Sequence, residues 1–343
     1  MARQLMHIIP VICSCLFMQI ILHELGHLLG GLITGWQLVY IQLHRFIIKK
    51  TDKGMVTLVV EDIGYKCIMY PKSFSSDPFL YTIGGCIINL LSGIIGIIFL
   101  ITIPMNSVLW LYVWSFAVFG IGVFFMNWIE SLSRVCNDKA CYRMLKENLY
   151  TKLCHNLQLI IAKDLMTGLT YKQIGKESIY LYSNKAVNDI EVYQVVLEYY
   201  YFLDIQKYMR AGQALESIDD TEHLSKELQN IIKSERIYLL LLTGLKLIDI
   251  KQVDRSHIDI EIDKYKKINV IKGDIHSLRV YALFEAYKQY KSGSVLRAVE
   301  LLDEIIKLME TSNYVYEGER KFCIQQIKCV INHMNKVDIS TNC

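Results

Sequence analysis

No proline follows Pro104. All four prolines (Pro10, Pro71, Pro78 and Pro104) fall in the first third of the 343 residues, and a proline-free remainder favours long, uninterrupted helices. Long apolar runs are missing from the same region. Residues 5–34, 79–103 and 107–129 can each cross a hydrocarbon core of roughly 30 Å at about 1.5 Å per residue, but no such run recurs beyond residue 135. A large charge of one sign is also absent. The net charge of +3 is too balanced for a nucleic-acid binder, so no nucleic-acid partner is expected. The ten cysteines form no CxxC pair and no regular spacing, which argues for reduced, packed thiols over a disulfide framework. Arg3 precedes an apolar stretch, yet no convincing signal-peptide cleavage site follows, and the first run reads as a retained helix.

Charge sets the expected topology. The segment 35–78 carries Arg45, Lys49, Lys50, Lys53, Lys66 and Lys72, the connection at 104–106 carries no basic residue, and Arg134, Lys139, Arg143 and Lys146 follow the third run. The positive-inside rule then places 35–78 and the long tail in the cytoplasm and the N-terminus outside. An integral protein of a bacterial plasma membrane is the expectation, with the lipid bilayer as its first partner.

Between the first two runs, WQLVYIQLHRFIIKK, the polar TDKG (Thr51–Gly54) and MVTLVVE read as a β-hairpin, with a further short strand near YKCIMY. An edge strand there could accept an extended peptide. Glycines 84, 85, 93 and 96 let neighbouring helices approach closely, and Trp110 and Trp128 lie near the ends of the third run, where interfacial aromatics concentrate. From about 141 onward amphipathic helices follow one another. Residues 201–219 resemble 286–305, with Ala211 aligned to Ala298 and Gly293 five residues before the latter, so the second copy looks like a tetratricopeptide helix pair. The copies lie 87 residues apart, which requires a further unit between them. The fold expected is mainly α: three transmembrane helices with a small β-hairpin insertion (1–140), an amphipathic connector (141–189), and a soluble helical, tetratricopeptide-like domain (190–335) for a peptide or protein partner.

The stretch ILHELGHLLGG (Ile21–Gly31) sets three ionisable residues inside the first run. A charged residue near a span's centre costs about 2.5–3.5 kcal/mol on the insertion scale, and clusters of them mark functional sites. HELGH fits H-E-x-x-H. On a helix His23 and His27 fall about 40° apart and roughly 6 Å along the axis, so both can hold one ion. Glu24 stands beside them to take a proton from water, and zinc suits imidazole and carboxylate donors. A catalytic zinc needs a third protein ligand. At the depth of the motif the polar residues are Asn89, Asn127, Glu130 and Asp138, and depth does not choose between the two carboxylates. Asp138 could equally be an N-cap for the helix beginning at Lys139. His7, sixteen residues (about 24 Å) before His23, is too far to share its ion. The remaining histidines, including His155 and His276, have no ligand-spaced partner and read as surface residues.

An H-E-x-x-H in the first span, GGCIIN (Gly84–Asn89) early in the second, and the N-D pair Asn137–Asp138 after the third together resemble the site-2 protease family of intramembrane zinc metalloproteases. The resemblance covers roughly residues 15–140. It departs from the family pattern at Cys86, where proline is usual, and at Lys139, where glycine is usual. It implies one catalytic Zn2+ held by His23, His27 and Asp138, with Glu130 the other carboxylate to weigh, Glu24 as general base, and Asn89 binding substrate backbone or the developing oxyanion. The implied activity is hydrolysis of a peptide bond in or beside a membrane segment of a membrane protein or membrane-associated peptide, alongside a strand at 38–60. The alternative is a membrane-tethered helical scaffold with a non-catalytic metal site.

Overall fold

A computed structural model describes residues 2–51, 54–105, 108–129, 137–181, 186–219, 221–248 and 274–341. The three apolar runs are helices: α1 (Ala2–Ile33), α2 (Phe79–Leu100) and α3 (Val108–Trp128). Within them Ile8–Ile33, Phe79–Leu100 and Val108–Trp128 are long and apolar enough to cross a membrane. They expose Leu, Ile and Phe outward but bury their few polar side chains against one another, Gln19 and Asn89 completely. That sorting is what a lipid solvent imposes, because an unpaired polar group in hydrocarbon is expensive. Contact between α1 and α2 is made through glycine. A Cβ on Gly26 would strike the Gly84 carbonyl, and one on Gly84 would strike the Gly26 carbonyl, so the two backbones touch.

Between α1 and α2 run β1 (Gln37–Thr51) and β2 (Gly54–Tyr70), one antiparallel pair closed by Thr51 opposite Gly54. The antiparallel hairpin matches expectation; the turn residues 52 and 53 lie outside the described residues. The separate strand near YKCIMY does not form: those residues are the second half of β2 and pair with β1 from Gln42↔Lys66 to Gln37↔Tyr70. Register irregularities at Leu38/Tyr40 and His44/Phe46 let both strands continue where a break was expected. The base of the hairpin is fixed by a core of Trp36, Ile41, Cys67, Met69 and Tyr81, against which Leu25 and Leu28 of the HELGH helix pack. Tyr81 stacks on Trp36 with ring centroids 4.7 Å apart.

After α3 come α4 (Asp138–Glu147), α5 (Leu149–Met166), α6 (Tyr171–Ile174), α7 (Lys176–Ile179), α8 (Asp189–Asp204), α9 (Tyr208–Glu216), α10 (Lys226–Gly244), α11 (Ile275–Lys291), α12 (Val295–Thr311) and α13 (Glu317–Thr341). The chain divides into two compact units, 1–59 with 63–160, and 60–62 with 161–343. In the second unit the two look-alike segments are both helical hairpins, α8–α9 and α11–α12, and Ala211 and Ala298 are fully buried in them. Gly293 turns the second hairpin at φ +83°. The stretch separating the copies holds α10, then residues 249–273, which lie outside the described set.

His155 and His276 are enclosed, contrary to expectation. His155 lies 6.5 Å from the Tyr81 ring and contacts Asn156, which donates to the carbonyls of Phe74 and Ser76. His276 stacks on Tyr200 at 4.3 Å. Beside it the fully buried Arg279 donates to both Glu235 carboxylate oxygens at 2.7 and 2.6 Å, and Tyr199 and Tyr200 donate to the same carboxylate. Arg279→Met would leave that carboxylate buried without its cation. A loss of about 3–5 kcal/mol is expected, measured by pulse proteolysis of the full chain in detergent; unchanged resistance would refute it.

Candidate metal centre

HELGH lies on the last turns of α1, so its residues at i and i+4 share one face. Nδ1 of His23 lies 2.7 Å from Oδ1 of Asn89, and Nδ1 of His27 lies 2.7 Å from the Tyr81 carbonyl. A carbonyl only accepts, so His27 carries its proton on Nδ1. The Asn89 amide nitrogen is spent on the Gln19 carbonyl at 2.9 Å and its side-chain oxygen at 2.8 Å, so Oδ1 faces His23 and accepts a hydrogen bond from its Nδ1–H. Both imidazoles therefore turn Nε2 inward. The two Nε2 atoms lie 3.2 Å apart, and Asp138 Oδ2 lies 3.3 Å from that of His23 and 3.5 Å from that of His27.

Three acceptor atoms converging on one point repel unless a cation joins them. An ion bonded at about 2.0–2.1 Å in tetrahedral geometry holds its donors roughly 3.3 Å apart, which matches the triangle observed. Among the described residues, His23, His27 and Asp138 form a group able to hold a metal ion. Burial pushes the Asp138 carboxyl above its usual range, with His23 pulling the other way; a divalent ion would favour its ionised form.

Asp138 reaches the site through its cap. Asn137, not Asp138, is the N-cap of α4: its Oδ1 accepts from the Ala140 N–H at 3.0 Å, and its Nδ2 donates to the Ile129 carbonyl at 2.7 Å. The cap thereby ties the start of α4 to the end of α3 and frees the Asp138 carboxylate. Lys139, already inside the helix, needs no glycine-like backbone, and its ammonium lies over the Trp128 ring at 5.4 Å. Glu130 lies outside the described residues.

Glu24 is buried, within electrostatic reach of Asp138 and of the Cys67 backbone N–H. The Cys67 carbonyl accepts from the Tyr81 hydroxyl at 2.9 Å. Cys67 thus brings β2 alongside Glu24.

Four further residues build the centre. Gln19, one turn before His23, anchors Asn89; its own polarity within an apolar run was the available signal. Tyr81 holds His27 through a backbone atom and leaves no such trace. Cys86 places Sγ 3.3 Å from Asp138 Oδ2. Gly85 makes room: a Cβ there would lie 2.6 Å from His23 Cε1 and 2.7 Å from His27 Nε2. Overpacking of that kind costs about 1–3 kcal/mol, so Gly85→Ala should weaken metal binding roughly ten- to hundredfold. Gly122→Ala, whose Cβ would meet nothing within 4 Å, should leave it unchanged. Equal affinities for the two variants in a chelator competition would contradict this geometry.

No protein-family model, no curated protein and no solved structure matches this chain.

Proposed function

We propose that the chain is an intramembrane zinc metalloendopeptidase of site-2 protease type. One observation carries the reading: a buried glutamate stands next to three acceptor atoms spaced for one ion, on helices long and apolar enough to span a membrane. A structural metal has no use for the glutamate; hydrolysis needs it as a base.

A zinc ion at this site would act as a Lewis acid on the scissile carbonyl and make a water acidic enough to be a nucleophile near neutral pH. The protein does the rest. Glu24 takes the proton from the attacking water and passes it to the leaving amine. The nearby Cys67 N–H stabilises its carboxylate form. Asn89 fixes the ring of His23 and the Tyr81 carbonyl fixes that of His27. With both ends of its amide engaged, Asn89 is a positioning residue in this reading, not the substrate contact that the family resemblance implies. An extended substrate segment lying along the outer edge of β2 would be carried past Glu24. The charge distribution supports a cytoplasmic hairpin and second unit, testable by protease accessibility in oriented vesicles.

The deciding experiment is comparative membrane peptidomics of cells carrying wild type or Glu24→Gln. Membrane-segment fragments or their precursors should accumulate in the variant. Identical peptide inventories, with both proteins present at equal levels, would defeat the proposal.

A further inference from the structure

Asp138 is the ligand with the least local support. It is the first residue of α4, where a carboxylate has a competing attraction in the free N–H groups of its own helix. His23 and His27 are each fixed by a hydrogen bond on the far side of the ring. Asp138 comes from another element and needs an equivalent hold.

Cys86 is placed to supply it. The residue is fully buried in α2, three positions before Asn89, so one face of α2 reaches both partners of the centre: Asn89 toward His23 and Cys86 toward Asp138. Its Sγ lies 3.3 Å from Oδ2, the same oxygen that faces both histidines. An ionised carboxylate has no proton to give, so the thiol is the donor. Sγ is not among the donor atoms that lie within 4.8 Å of one another; it backs the carboxylate and stays out of the ion's own ring of donors.

We infer that Cys86 is a positioning residue, whose thiol donates to Asp138 and holds the carboxylate turned toward His23 and His27. The inference rests on the zinc reading above. A thiol is a weak donor, so its contribution is orientation. With the carboxylate already facing the histidines, an arriving ion meets three converged donors instead of having to recruit the third.

The test is zinc affinity of the purified full-length protein in detergent, by competition with a chromophoric chelator, together with the absorption spectrum of the Co2+-loaded protein. Cys86→Ala should bind zinc about 10–100-fold more weakly, the range that loss of an outer hydrogen-bond partner produces, while Cys86→Ser, which keeps a donor, should stay within about threefold of wild type. Cys86→Val keeps the volume without the donor and should behave like alanine, which separates orientation from packing. The Co2+ spectrum should lack an intense sulfur-to-cobalt band in the near ultraviolet. Wild-type affinity in the alanine or valine variant overturns the inference. So does a sulfur-to-cobalt band that vanishes in Cys86→Ala, because Cys86 would then be a ligand. A wild-type protein that takes up no zinc removes the metal reading, and this inference with it; zinc uptake with unchanged variants removes the inference alone.

Discussion

Glu24→Gln should retain one zinc per chain and lose about 10²–10⁴ in cleavage rate, the range that a positioned general base contributes. Glutamine has the shape of glutamate and keeps an acceptor oxygen facing the Cys67 N–H, so the packing around residue 24 survives. The metal triangle does not include Glu24, which is why the ion should stay. What disappears is the ability to take a proton from water. The measurement pairs metal content with single-turnover cleavage in detergent or bilayers. Retained cleavage in a zinc-replete preparation would eliminate Glu24 as the base. Loss of zinc along with activity would show that Glu24 holds the ion, contrary to the geometry.

Asp138→Ala should be the most damaging change to the metal centre. It removes one of three donors whose mutual spacing of 3.2–3.5 Å suits a single ion. Two histidines four residues apart remain, and a catalytic zinc is held by three protein ligands. The loss of affinity should therefore exceed the 10–100-fold range that outer partners produce. Glu130→Ala, the competing carboxylate in the sequence, should keep wild-type affinity. Metal analysis of both variants after dialysis against a weak chelator checks this. A zinc-free Glu130→Ala beside a zinc-loaded Asp138→Ala would reverse the assignment.

Much of this protein is legible in one dimension because its strongest signals are local. A run of apolar residues long enough for a bilayer is a property of consecutive positions, and three such runs became α1, α2 and α3. The i, i+4 relation that joins His23 to His27 is fixed by helix geometry alone, and the strand character on either side of the polar TDKG follows from local propensity. The hairpin's continuity was misread at YKCIMY because a register irregularity depends on what the partner strand does, and that information lies some twenty residues away in β1.

The partners of the histidines were hidden for a related reason. Tyr81 acts on His27 through its carbonyl, an atom every residue possesses, so no side-chain pattern could reveal it. Asn89 was visible as a polar residue in an apolar span, but whether its amide faced a substrate or a histidine depended on where Gln19 would lie once α1 and α2 packed. Asp138 stood between two readings, ligand or cap. The tertiary structure assigned the cap to Asn137 and thereby left the carboxylate free.

By itself, then, the sequence determined the three long apolar helices, the pair of histidines with its adjacent glutamate, and the helical character of the tail, since each follows from periodicity and propensity within a few turns. The tertiary structure brought Asp138 to the two histidines, gave each imidazole its partner on the far side of the ring, and set β2 beside Glu24. Those depend on the close approach of α1 and α2 at Gly26 and Gly84 and on the tie between α3 and α4 through Asn137. Contacts such as His27 to Tyr81 and His23 to Asp138, 54 and 115 positions apart, are set by packing, and packing is not written in the spacing of any one segment.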